Sequence, residues 1–317
     1  MKVLITGIAG FAGSHLVDLL LTFRNLKISG TVLEEKNIEN IAARKDKLVL
    51  LAGDLRDGYF VDEIIKKIKP DLIFHLAGIS SAAVSLQKPK ETLESNIIAN
   101  FNLLEAIKNY SRESKVLIVG SAEEYGLVAE KDLPINEETP LRPTNPYAVS
   151  KIAVDFLALQ YFYSYKIKVV RIRPFNHIGP RQKPEFVVAD FANQIAKIIL
   201  NKTSAPVRVG NLDVKRDFTD VRDIARAYWL ALEKGQFGDV YNLGSGKSYT
   251  IRIILQKLIN ISGRKIKIKQ DPGKLRPVDI PNLLCDNTKF VKQTDWQSTI
   301  GIDQSLKDTL EYFKVSK

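Results

Sequence analysis

A single cysteine, Cys285, among 317 residues excludes a disulfide within the chain and points to a reducing, cytoplasmic setting. Histidine is nearly as scarce. His15, His75 and His177 lie far apart, without the spacing of metal ligands, so no metal site is expected. No run of about 18 apolar residues occurs, so nothing reads as a membrane span. The opening Met1-Lys2-Val3-Leu4-Ile5 enters a strand pattern directly, without the charged, apolar and small-residue succession of a secretory signal. Acidic residues are outnumbered, 36 against 47 Lys and Arg, which leaves a formal charge of +11. No arginine-rich arm or aromatic-interleaved basic stripe accompanies that excess. A lysine-rich surface with a pocket for a polyanionic ligand explains it better than nucleic-acid binding.

Apolar strand runs alternating with helical stretches fill the first half. Strands are predicted at 3–5, 28–33, 47–51, 71–75 and 116–119, with helices over 11–23, 58–68 and 91–109. Alternation with near-continuous apolar strands implies a parallel sheet buried on both faces. The fold class is therefore α/β, a Rossmann-like doubly wound sheet. After a strand at 169–172 the alternation loosens. A loop over 174–185 is followed by helices near 186–200 and 220–234, a proline-spaced loop at 272–281 and a last helix over 303–313. The expected organisation is a dinucleotide-binding domain over 1–173, to which later segments near 211–245 return. A smaller, partly interleaved substrate lobe takes most of 174–317.

Gly7-Ile8-Ala9-Gly10-Phe11-Ala12-Gly13 follows the first strand and opens the first helix. Glycine permits a tight turn and close approach of backbone to a pyrophosphate. The helix start, at Phe11, Ala12 and Gly13, presents free N–H groups to it. Glu34, just past the second strand, can accept hydrogen bonds from a ribose and would repel a 2′-phosphate, which leans the cofactor toward NAD(H) over NADP(H). It can equally be a solvated loop residue.

Tyr147 and Lys151, four apart after Asn145-Pro146, share one helix face. A neighbouring ammonium favours the phenolate, so the tyrosine pKa is expected to fall toward working pH. Such a tyrosine exchanges a proton with a sugar oxygen while hydride moves to or from nicotinamide. Further on, Arg216 and Arg276 suit bidentate capture of a diphosphate, and each can instead form a surface ion pair with Asp217 or Asp279. Asn176 can donate to the same diphosphate, and Asp279 can accept from the nucleotide ribose.

These motifs, in this order, resemble the extended short-chain dehydrogenase/reductase family. Phe175-Asn176-His177-Ile178-Gly179-Pro180 and Arg216-Asp217-Phe218-Thr219-Asp220-Val221-Arg222-Asp223 are most similar to GDP-4-keto-6-deoxy-D-mannose reductases, which form GDP-D-rhamnose. GDP-mannose 4,6-dehydratases match less well, and sugar-nucleotide 4-epimerases come third. The resemblance implies that Asp54 and Leu55 contact the adenine, and that Leu76, Ala77, Gly78 and Pro174 line the cofactor. It implies that Ser121 hydrogen-bonds the reacting oxygen, and that Arg181 and Val187 join the substrate site. Glu123 stands where the dehydratases keep the base that removes a sugar proton, or merely shapes the pocket. A cofactor-sensing protein without catalysis would be expected to lack Tyr147 or Lys151. The partner is expected to be a nucleotide-diphosphate sugar, GDP-linked, and helices 91–109 and 147–163 are the candidate faces of a homodimer.

Overall fold

Val3, Leu4 and Ile5 are wholly buried, because their strand lies inside a sheet covered on both faces. The computed structural model describes residues 1–275 and 277–315. Its strands, in chain order, are β1 (Lys2–Thr6), β2 (Lys27–Val32), β3 (Val49–Ala52), β4 (Leu72–His75), β5 (Lys115–Val119), β6 (Lys168–Pro174), β7 (Asn176–Ile178), β8 (Val207–Val209), β9 (Lys215–Asp220), β10 (Val240–Leu243), β11 (Ser248–Thr250), β12 (Ile268–Gln270) and β13 (Asn282–Leu283). Its helices are α1 (Phe11–Leu20), α2 (Gly58–Ile68), α3 (Ala82–Gln87), α4 (Pro89–Leu93), α5 (Ala99–Tyr110), α6 (Pro146–Tyr165), α7 (Val187–Leu200), α8 (Val221–Lys234), α9 (Ile251–Ser262), α10 (Thr288–Thr294) and α11 (Ile302–Val315).

Among the described residues, seven parallel strands form the main sheet in the order β10-β6-β5-β4-β1-β2-β3. Side-chain alternation divides its core. Val3 and Ile5 pack with Leu16, Val17 and Leu20 of α1 and Ile224 and Tyr228 of α8 on one face. Leu4 points the other way, toward Ile64 of α2, Leu103 and Ile107 of α5 and Val154 of α6. This is the doubly wound architecture that the alternation predicts. Burying one of these side chains fully is worth about 1.5–3 kcal/mol, which fastens both helical layers to the sheet.

The second lobe gathers α7, α9 and α11 over a short sheet in which β9 pairs with β7, β11 and β13. Within 211–245, α8 and β10 lie with the main sheet, whereas β9 belongs to this second one. The sequence pattern shows no sign of β7 to β13 as strands, because they are only two to six residues long, and the longest, β9, carries the charges of Lys215, Arg216, Asp217 and Asp220. The helix expected at 91–109 is present as α4 and α5 joined through one π-helical turn, Glu94–Ile98. Among the described residues no helix is long and apolar enough to cross a membrane.

Candidate active site

The glycine turn is built for close backbone approach. Gly7 has φ +67°, and a Cβ there would stand 2.9 Å from the Ala77 Cα. A Cβ at Gly13 would stand 2.5 Å from the Gly7 carbonyl oxygen. Helix α1 starts at Phe11 with no side-chain cap and no acidic residue in its first turn. The N–H groups of that turn have no acceptor within the helix, and they carry the positive end of its dipole. A cradle that a side chain would fill, facing an uncapped helix start, fits a pyrophosphate.

Thr6 ties this turn to the next strand end. Its hydroxyl oxygen accepts the N–H groups of Leu76 and Ala77, both at 3.1 Å. Its own proton is then left for Nδ1 of His75, 2.8 Å away. Asn96, set in the π-helical turn, secures the following residues. Its amide accepts the Ile79 N–H (2.8 Å) and donates to the Ile79 carbonyl (3.0 Å) and to Ser150 Oγ (2.8 Å). Glu34 and Asp54 stand past the ends of the neighbouring strands β2 and β3. Glu34 pairs with Lys36 at 2.8 Å, both largely exposed. Asp54 accepts from the backbone and guanidinium of Arg56, which hold its carboxyl below the usual range. Leu55 is buried, and Pro174, also buried, ends β6 opposite Leu243.

Burial holds all three histidines toward the neutral form in this fold. Burial lowers His75 to about 3, helped by the Lys151 charge, and lowers His15 to about 4. In the unfolded chain both protonate near 6.5. The stability of the neutral form is therefore complete above that value and is lost as pH falls toward 4. The loss is expected to reach roughly 3 kcal/mol for His15 alone. Chemical denaturation at pH 7, 5.5 and 4 checks this, and unchanged stability across that range would refute it.

Past β5, Ser121 opens a single turn, Ala122–Glu124. Helix α6 begins close by. Asn145 caps it by accepting the Ala148 N–H at 2.9 Å, and Pro146 fills its first position, where no N–H is needed. Tyr147 and Lys151 thus stand on its first two turns, just behind Asn145, which lines the cleft. Lys151 donates to the Val119 carbonyl at 2.7 Å and sits 5.8 Å from the centre of the Tyr147 ring. Burial draws Lys151 down to about 8, against the pull of Glu124. Tyr147 moves the other way from the sequence expectation. Burial dominates, Glu123 and Glu124 add to it, and its pKa rises well above the usual value although Ser121 opposes the shift. Desolvation decides the shift, and the Lys151 ammonium, which donates one of its protons to Val119, is not among the groups that move it. The phenol is therefore protonated and poised to give a proton.

The cleft lies between the lobes and has an empty volume of ≈ 380 Å³, its open mouth included. Glu123 and Asn145 line one side, Arg216, Val278 and Ile280 the other, with Ala82 and Leu86 of α3 at the edge. Asn145 donates to Glu123 Oε2 at 3.0 Å, joining this carboxylate to the start of the tyrosine helix. Arg216 is buried and donates to the carbonyls of Lys215 and Ile280, so it is not a surface residue. Asp217 is not its counter-ion on a surface. It is buried and takes the N–H groups of Ser245, Gly246 and Cys285 and the Ser245 hydroxyl. Asp279 accepts from Asn211 at 3.0 Å. Asn176 stands on β7 beside β9, and Val187 opens α7. Arg276 lies outside the described residues.

Arg181 does not join this group. It pairs at 2.5 Å with Asp18 of α1, which also holds Arg44, and the preceding Pro180 carbonyl binds His15. Its segment runs along α1, where His177 stacks on Phe11 with ring centres 5.7 Å apart. Several residues at the site carry no signal by themselves: Thr6, Asn96, and a buried ionic group of Glu124, Arg173, Asp155 and Arg171. One signal was available. Asp155 continues the spacing of four from Tyr147 through Lys151, on the same helix face.

The model of the GDP-mannose 4,6-dehydratase family matches residues 4–309. The chain belongs to this family. GDP-6-deoxy-D-mannose reductase of Pseudomonas aeruginosa is 34% identical, over 98% of this chain and 96% of that protein. A GDP-mannose 4,6-dehydratase of Yersinia enterocolitica is 28% identical over 96% and 91%. Among solved structures, RMD of Pseudomonas aeruginosa in complex with NADPH superposes with a TM-score of 0.86 at 33% identity, covering 99% of this chain and 98% of that one. UDP-glucose 4-epimerase of Thermus thermophilus with NAD gives 0.90 at 30%, covering all of both chains. Fold and family together make the chain an enzyme of the extended short-chain dehydrogenase/reductase type.

Proposed function

We propose that the chain reduces the C4 ketone of GDP-4-keto-6-deoxy-D-mannose to give GDP-D-rhamnose, using NADH or NADPH. The observation that carries this reading is a protonated, buried Tyr147 hydrogen-bonded to Ser121, with Lys151 5.8 Å from its ring, on the helix whose cap, Asn145, lines the cleft. Gly7, Gly10, Gly13 and the start of α1 would hold the cofactor pyrophosphate. Leu76, Ala77, Gly78, Pro174 and Lys151 would flank its nicotinamide half. When bound, the cofactor supplies a hydride. Tyr147 gives a proton to the sugar O4, and Ser121 hydrogen-bonds that oxygen. The Lys151 charge stabilises the phenolate left behind. Arg216 holds the diphosphate side of the cleft, with Arg276 as its proposed companion. Glu34 favours NADH, since a 2′-phosphate beside its carboxylate would be repelled. The lone, buried Cys285 agrees with a cytoplasmic setting.

The test is incubation with GDP-mannose and with the 4-keto sugar, each with and without reduced cofactor. Stoichiometric cofactor oxidation with the ketone, faster with NADH, and no conversion of GDP-mannose are expected. Glu123→Gln should keep a substantial part of that activity, because ketone reduction removes no C5 proton. Conversion of GDP-mannose without added reduced cofactor, abolished by Glu123→Gln, would establish a dehydratase instead.

A second copy of the chain is the proposed partner. Val149, Phe156 and Tyr163 recur every seventh residue on the outer face of α6 and are exposed, as are Ile98, which ends the π-helical turn, and Phe101 at the start of α5. Such a stripe suits packing against its own symmetry mate. Sedimentation should show a dimer that Phe156→Glu dissociates. A monomeric wild type would refute the assignment.

A further inference from the structure

The turn Ala122–Glu124 holds two glutamates, and only Glu123 lines the cleft. We propose that Glu124 is a positioning residue for Ser121. Its Oε1 accepts the Ser121 N–H at 2.7 Å. Its Oε2 lies 3.1 Å from Arg173 Nε. Arg173 is fixed by Asp155, at 2.5 and 2.8 Å, on the helix that carries Tyr147 and Lys151. One chain of contacts therefore sets the serine relative to the tyrosine and lysine. This inference rests on those three residues as the reacting group, and on no particular sugar.

Three further observations agree. Glu124 has no exposed surface, so it touches no substrate. Position 120 admits no side chain, since a Cβ there would collide with Glu124 Oε1. The glycine is the space into which the carboxyl folds. Ser121 Oγ in turn accepts the Glu123 N–H at 3.2 Å, which leaves the serine proton for the oxygen of Tyr147. Burial, then Asp155, raise the Glu124 carboxyl to about 8, with Arg173 opposing. Oε1 can accept the Ser121 N–H in either protonation state, so a glutamine can copy the contact.

The experiment compares Glu124→Leu, Glu124→Gln and Gly120→Ala in the cofactor-bound enzyme. Glu124→Leu is expected to lower kcat about tenfold or more, with KM moved less than about threefold, because a serine out of place costs the reacting geometry and not sugar binding. Glu124→Gln should stay within about threefold of wild type. If the leucine variant does not fold, Gly120→Ala displaces the intact carboxyl and is expected to give the same drop. Near-normal kcat in Glu124→Leu or in folded Gly120→Ala, or a glutamine variant as damaged as the leucine one, overturns the proposal. Hydrogen exchange of the Ser121 amide, read with selectively labelled serine, needs no turnover. It should quicken in Glu124→Leu and stay slow in Glu124→Gln. A wild type that converts neither sugar would defeat the reductase reading and leave this exchange to decide Glu124, with equal protection in both variants counting against it.

Discussion

Tyr147→Phe is expected to lower turnover about a hundredfold or more, the usual contribution of a placed general acid. The cause is specific. Tyr147 lies on the first turn of α6, held there by the Asn145 cap, and burial keeps its phenol protonated. Phenylalanine keeps the ring and its packing, and removes only the hydroxyl that carries the proton. Cofactor affinity, read by fluorescence titration, should change little, because the glycine turn and Lys151 are untouched. Thermal stability should also be close to wild type. Ser121 cannot replace the donor efficiently, because its hydroxyl would have to leave an alkoxide, a far stronger base than a phenolate. Turnover within about threefold of wild type would end the assignment of Tyr147 as the acid.

Asp155→Ala is expected to cost about 3–5 kcal/mol of stability, the scale for breaking a buried ion pair from one side. Asp155 accepts from Arg171 Nη1 at 2.7 Å and from Arg173 Nε and Nη2 at 2.8 and 2.5 Å. Both guanidiniums are almost fully buried on β6. Without the carboxylate, Arg171 keeps only the Gly238 carbonyl, and its Nε already has no hydrogen-bond partner. Arg173 keeps Glu124, whose own charge is disfavoured by burial, together with Tyr125 and the Glu137 carbonyl. That leaves two positive charges in a low-dielectric space with one weak counter-charge. Domains are commonly stable by only about 5–15 kcal/mol, so the loss should be plain in urea denaturation. A change below about 1 kcal/mol would show that these arginines find water or another partner, and that the buried group is not what joins β6 to α6.

The main sheet was legible because its signals are local. Val3-Leu4-Ile5 and Leu72-Ile73-Phe74 are apolar runs of strand length between helices with a period near 3.6, and a parallel sheet buried on both faces asks for nothing more. Gly7, Gly10 and Gly13 were legible for the same reason, since a strand, a turn and a helix start are contiguous in the chain. Tyr147 and Lys151 lie four apart on one helix. The residues that tertiary structure alone decided are those whose partners are distant in sequence. The ion pair of Arg181 with Asp18, 163 residues earlier, has no local mark in the chain. The charged strand β9 gave no strand pattern, because its neighbours β7, β11 and β13 come from three separate segments. The Tyr147 pKa was expected to fall from spacing alone and rises instead, because the sequence counts charges near a group and not the water removed from it. Glu124 reads as one more acidic residue beside Glu123. Only the space at Gly120 and the guanidinium of Arg173 turn one glutamate into the core and leave the other facing the cleft.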